Sequence, residues 1–126
     1  MKEFTAYKGE KFTIEWYYNE KSESQALSYF ESLNEGQQDK LFYLLKRMGD
    51  FGKINDITKF RYEQDGIYAF KPQPDRYLCF FTAGRKIIIT NAFTKKSDKM
   101  PLNEKNKATQ SKNNYMNRIK KGDYYE

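Results

Sequence analysis

RYLCFFTAGRKIIITNA, residues 76–92, is the stretch that decides the fold. Ile87-Ile88-Ile89 is β-branched throughout and too short to be a buried helix, so Lys86–Ala92 reads as a strand. Arg76–Thr82 is equally β-prone, and Thr82-Ala83-Gly84-Arg85 reads as the tight turn of a hairpin. Just upstream, Ile67–Lys71 reads as a further strand, closed by Lys71-Pro72-Gln73-Pro74, where proline ends regular pairing. Three consecutive strands with short connections predict an antiparallel meander. Lys53–Asp65 reads mostly as loop, with room for a short strand at Lys59–Tyr62.

Toward the N-terminus, Lys11–Tyr18 alternates with period two: Phe12, Ile14, Trp16 and Tyr18 share one face, and Lys11, Thr13 and Glu15 the other. Tyr17 breaks the polar side. Residues 1–10 read as a polar lead-in. Ser22 or Ser24 can cap a helix whose apolar positions are Leu27, Phe30 and Leu33. Asn34-Glu35-Gly36 interrupts it, and a second helix carries Leu41, Leu44, Leu45 and Met48 at i, i+3, i+4 and i+7 before Gly49 and Gly52. Beyond Pro101, amide and charged side chains dominate. Ala108, Lys112, Tyr115 and Ile119 make a narrow stripe on a third, loosely held helix. The expectation is a single α+β domain over residues 1–126: a small antiparallel sheet covered by an N-terminal helix pair, in the order β-α-α-β-β-β-α. Residues 11–100 form its core, 101–121 a basic C-terminal helix and 122–126 a disordered tail.

Composition narrows the chemistry. The 126 residues are only 38% hydrophobic, yet aromatics make up 17%, which argues against global disorder. No apolar run is long enough to span a membrane, and MKEFTAYKGEKF lacks the apolar region of a secretory signal, so a cytoplasmic protein is expected. There is no histidine. This removes Ser-His and Cys-His nucleophilic pairs, histidine-ligated zinc and paired imidazoles as acid and base. The single cysteine, Cys79, lies in an aromatic run and reads as a core residue. Any chemistry falls to Lys, Arg, Tyr, Asp or Glu, with no metal and no cofactor expected.

Charge is concentrated. Residues 1–84 carry 12 Lys and Arg against 13 Asp and Glu, whereas residues 85–121 carry 11 Lys and Arg against only Asp98 and Glu104. So large a local excess attracts a polyanion, of which nucleic acid is the usual one; the plainer reading is a basic tail that confers solubility.

The element order, the stretch Gly66-Ile67-Tyr68-Ala69-Phe70-Lys71 and above all Asn91-Ala92-Phe93-Thr94-Lys95-Lys96 followed by Pro101 resemble the RelE/ParE superfamily. Within it, the chain is most similar to the phage-derived, HigB-like toxins of type II toxin–antitoxin pairs. That group shows Gly-Leu-Tyr-Glu-Leu-Arg on its second strand, Arg-aromatic-Arg on its third and Phe-x-Lys-Lys after its fourth. Here Ala69 replaces the Glu, Lys71 the Arg, and Leu78 the second Arg, while Arg76 lies two residues earlier on the same strand face. The resemblance implies a metal-independent mRNA endoribonuclease acting on the ribosome through the ribose 2′-hydroxyl. Its partners would be mRNA, the ribosome and a helix-turn-helix, HigA-like antitoxin. The alternative is a non-catalytic toxin of the same fold, either a ParE-like gyrase inhibitor or a phage-derived RNA-binding protein without nuclease activity.

Scission of RNA by its own 2′-hydroxyl requires that hydroxyl to lose a proton, a five-coordinate phosphorus to be stabilised, and the departing 5′-oxygen to be protonated. Converging cations serve the second need, and such electrostatic stabilisation is usually what lowers the barrier most. Lys71, Arg76, Lys95 and Lys96 lie at the ends of neighbouring expected strands and are the catalytic candidates. Arg61, Tyr62, Tyr68, Arg85, Lys99 and Lys105 are the RNA-binding candidates, as cations for phosphates or rings for unpaired bases. For proton transfer the sequence leaves open a lysine with a lowered pKa, Tyr62, Tyr68 or Tyr77, and the carboxylates Glu63 and Asp75.

Overall fold

A computed structural model describes residues 2–126. Its elements are β1 (Thr5–Lys8), β2 (Thr13–Trp16), α1 (Gln25–Glu31), α2 (Glu35–Phe51), β3 (Phe60–Tyr62), β4 (Tyr68–Phe70), β5 (Asp75–Thr82), β6 (Lys86–Thr94) and α3 (Leu102–Lys121). The six strands form one sheet in the order β1-β2-β6-β5-β4-β3.

The antiparallel meander is present as β4-β5-β6, extended outward by β3 at the short segment where the sequence allowed a strand. The sheet as a whole is mixed, however, and not antiparallel as expected. β2 pairs with β6 in parallel, Thr13 opposite Lys86 through Trp16 opposite Ile89. The chain leaves β2 in mid-sheet, crosses one face as α1 and α2, and re-enters at the far edge as β3. The supposed polar lead-in supplies β1, antiparallel to β2. The order is therefore β-β-α-α-β-β-β-β-α.

Ser24 caps α1 through its side chain, and Asn34 caps α2 by accepting the Gln37 N–H. Gly52, at φ 82°, closes α2 in the left-handed conformation. Gly49 lies inside α2 rather than ending it. A Cβ on Gly9 would overlap the Gly49 carbonyl, so the two glycines allow β1 to lie against α2.

Two apolar layers flank the sheet. Leu41, Leu44, Leu45 and Met48 of α2 pack on Ile14, Trp16, Phe70, Tyr77, Ile87 and Ile89. On the opposite face Ala108 and Tyr115 of α3 pack on Ile67, Ala69, Leu78, Phe80 and Ile88. Thus α3 is a structural layer, more firmly held than its sequence suggests. The expected disordered tail is likewise corrected. Tyr124 is 1% exposed, and its hydroxyl accepts the Tyr18 N–H at 3.0 Å; the large ring fills the gap between α3 and the first strands. Among the described residues no helix is long and apolar enough to cross a membrane.

Candidate active site and nucleic-acid interface

A register change places the site. Between the pairs Leu78–Asn91 and Cys79–Ile89 the β5-β6 ladder accommodates Thr90 as an extra residue. Its hydroxyl donates to the Leu78 carbonyl at 3.2 Å. The bulge turns Asn91 and Phe93 toward the α3 face, where Asn91 Nδ2 donates to the Glu104 carbonyl at 3.1 Å and to its Oε1 at 3.0 Å. The start of α3 is thereby tied to the end of β6.

Because β3, β4, β5 and β6 alternate in direction, the start of β3, the end of β4, the start of β5 and the end of β6 meet at one end of the sheet. Arg61, Lys71, Arg76 and Lys95 occupy those positions on the α3 face. Beyond the beginning of α3 they line a cleft of about 180 Å³ with Glu63, Phe93 and the loop from Lys96 to Pro101. All four catalytic candidates, Lys71, Arg76, Lys95 and Lys96, are lining residues, as are Arg61 and Lys99 from the RNA-binding set.

The cations are held with few countercharges. Arg76, only 7% exposed, donates through Nη1 to Gln73 Oε1 at 3.2 Å and to the Asp75 carbonyl at 3.0 Å. Among the described residues it has no carboxylate within ion-pair distance. Burial lowers its pKa from the ordinary arginine value, against the opposing field of Glu63. Lys71 Nζ donates to the Ile57 carbonyl at 3.2 Å. Its pKa is lowered too, by burial first and then by the Arg76 charge, with Glu63 opposing and Arg61 and Lys95 adding to the effect. Lys95 Nζ lies 2.9 Å from Asp98, whose side chain is 97% exposed. That contact holds the Asp98 pKa below the usual carboxylate range.

Four RNA-binding candidates lie elsewhere. Arg85 sits in the β5-β6 turn, the whole length of β6 away from Lys95. Lys105 is paired to Asp65 at 2.8 Å across the start of α3. Tyr68 faces the helix pair, stacked on Phe60 at 5.5 Å. Tyr62 leans on Tyr68, and its hydroxyl accepts the Gly66 N–H at 3.2 Å. Strand alternation explains the tyrosines: Tyr62 and Tyr68 pair across β3 and β4, one position out of phase with Arg61 and Ala69.

The same alternation sorts the proton-transfer candidates. Asp75 is 1% exposed, on the helix side, and accepts from Tyr29 Oη at 2.6 Å and Gln37 Nε2 at 3.2 Å. Tyr77 is fully buried beside it; its hydroxyl lacks a hydrogen-bond partner, and burial raises its pKa. Neither lines the cleft. Glu63 does, and its charge acts on both Lys71 and Arg76. Asp98 is the site residue that sequence reasoning missed; its i+3 spacing from Lys95 in an exposed loop was the available signal.

Comparison with known proteins gives one family. Residues 28–113, more than half of the chain, match the family model described as phage derived protein Gp49-like (DUF891). No curated protein matches the chain.

Proposed function

The chain belongs to the phage-derived Gp49-like family, which is related to the RelE and HigB toxins, and on that premise we propose that it is the toxin of a type II toxin–antitoxin pair and cleaves mRNA. The observation that carries this reading is the convergence of Lys71, Arg76, Lys95 and Lys96 on one cleft without matching buried carboxylates. Such a cleft favours a phosphate over water and retains its strongest attraction for the more highly charged transition state.

In the proposed reaction the ribose 2′-oxygen attacks the adjacent phosphorus, and the bond to the 5′-oxygen breaks, leaving a 2′,3′-cyclic phosphate and a free 5′-hydroxyl. Glu63 accepts the 2′-hydroxyl proton. Arg76 and Lys95 hold the non-bridging oxygens, Arg76 through a planar fork and Lys95 as a point charge released from Asp98. Burial and the Arg76 charge make Lys71 hold its proton less tightly than an ordinary lysine, so it serves as the proton donor to the departing oxygen. No step in this scheme uses a metal. The ribosome presents the unpaired mRNA, and a helix-turn-helix antitoxin silences the enzyme between uses.

Primer extension on cellular mRNA after brief expression tests the reading. Discrete cuts are expected, disappearing together with growth arrest in Lys95→Ala/Lys96→Ala. Growth arrest with intact mRNA and a DNA-damage response would overturn the nuclease in favour of gyrase inhibition.

A further inference from the structure

A second concave surface lies outside the chemistry above. Two hollows of about 730 and 370 Å³ share Tyr43, Leu44 and Lys59 in their walls and so form one groove between α2 and the loop 53–59. Tyr43 is 61% exposed and Phe51 66%, two turns apart on α2. Four cations, Lys40, Arg47, Lys53 and Lys59, line the groove against Asp39 and Asp56. Asp56 is already engaged, its Oδ1 accepting the Thr58 N–H at 2.9 Å and the Thr58 hydroxyl at 2.6 Å. The Arg47 guanidinium lies 5.8 Å from the centre of the Phe51 ring. Exposed rings interleaved with cations are what an unpaired nucleic-acid strand requires: faces for bases and charges for phosphates.

The groove adjoins the cleft through the segment 71–76, although among the described residues none lines both. Gln73 belongs to the groove wall, and its Oε1 accepts the 3.2 Å hydrogen bond from Arg76. Its backbone carbonyl accepts from Lys40 Nζ at 3.4 Å. Lys71 Nζ reaches back to the Ile57 carbonyl on the loop that forms the facing wall.

We propose that this groove carries the unpaired RNA strand where it leaves the cleft, with bases stacked on Tyr43 and Phe51 and phosphates followed by Lys40, Arg47, Lys53 and Lys59. The inference rests on the RNA-cleaving reading and names its substrate more closely, as a single strand longer than the linkage being cut. From Lys40 to Phe51 the helix rises about 16 Å, at 1.5 Å per residue. At roughly 3.4 Å per stacked nucleotide that accommodates about five. A protein helix would instead need a contiguous aliphatic floor; here the aliphatic lining is Leu44, Ile54 and Pro72, while the exposed rings of Tyr43 and Phe51 stand beside cations.

Binding of uncleavable 2′-O-methyl RNA to the full-length chain tests this, using a three-nucleotide and a nine-nucleotide probe. Tyr43→Ala/Phe51→Ala should weaken the nine-mer by about 30-fold or more, the scale of two lost stacking contacts, and change the three-mer less than about twofold. Arg47→Gln should flatten the salt dependence of the nine-mer alone, by about 0.7 in the log–log slope. Both rings are exposed, and unchanged thermal melting verifies that the variants fold. A nine-mer indifferent to the paired substitution overturns the inference. So does a leucine- and glutamate-based helical peptide that binds the groove and is lost with the same substitution. A three-mer that fails to bind, or ignores Lys95→Ala/Lys96→Ala, sinks the nuclease reading itself.

Discussion

The two ends of β6 gather the same kinds of side chain and treat them in opposite ways. At its start, Lys86 Nζ lies 3.4 Å from Glu15 Oε2, donates to Tyr125 Oη at 2.8 Å and sits 4.3 Å from the centre of that ring. Tyr125 donates in turn to Glu15 Oε1 at 2.7 Å. Burial, followed by hydrogen bonds to Tyr115 and Glu15, raises the Tyr125 pKa well above its ordinary value, so the hydroxyl stays protonated there. Lys86 and Glu15 thus answer one another. At the other end, Lys95, Arg76 and Lys71 share a cleft in which Arg76 has only neutral acceptors and Lys95 its exposed Asp98. A matched cation fastens a fold, whereas a group of unmatched, partly buried cations costs stability and persists where a ligand supplies the missing charge.

The sharpest way to break this comparison is to remove one cation from the unmatched end. Arg76→Met should lower mRNA cleavage more than about 100-fold while shifting unfolding free energy by less than about 1 kcal/mol. The lost hydrogen bonds are offset by relief of the burial cost. A strongly destabilised Arg76→Met protein would make Arg76 structural.

The matched end should give the reverse result. Truncation after Gly122 removes Tyr124 and Tyr125, and with them the packing of Tyr124 against Tyr115 at 4.6 Å between ring centres. Urea unfolding should register a loss of about 3–5 kcal/mol, the scale for emptying a large aromatic site. The folded fraction should retain its cleavage rate. A truncated chain with unchanged stability would show that the tail closes nothing.

The smallest expected effect is in pH. In the folded protein the Lys71 pKa lies below 10.5. Between the folded and unfolded values the unfolded chain binds the extra proton, so this group makes stability rise with pH until the ordinary value is reached, and makes no further difference above it. Cleavage runs the other way, falling as pH rises through the lowered value because the proton donor is lost. Lys71→Arg keeps the charge but cannot release a proton, so cleavage should drop about 100-fold below the Lys71 pKa, the gap closing as pH rises through it. An active Lys71→Arg enzyme would reduce Lys71 to a point charge.

The meander was legible because Ile87-Ile88-Ile89 and RYLCFFT permit little but strand, and the α2 stripe because Leu41, Leu44, Leu45 and Met48 repeat at helical spacing. β1 was not legible. Thr5–Lys8 has no apolar alternation, and its pairing depends on Gly9 meeting Gly49, forty residues away. The parallel β2-β6 pairing was hidden for a related reason: strand patterns record which face is buried, not which neighbour lies alongside.

The site divided along the same line. Resemblance at Phe93-Thr94-Lys95-Lys96 brought Lys95 and Lys96 forward from sequence, the ends of the neighbouring expected strands added Lys71 and Arg76, and all four line the cleft. Which carboxylate joined them was a matter of strand phase. Glu63 shares the face of Arg61, while Asp75 points among the helices to Tyr29 and Gln37.

Sequence alone determined the helix faces, the strand-rich middle and the surplus of cations after residue 84, because each is a property of neighbours along the chain. Only the tertiary structure decided that the acidic, tyrosine-rich end closes the core and that a bulge at Thr90 aims β6 into the cleft. Those outcomes depend on how distant segments compete for the same buried space, which no local pattern encodes.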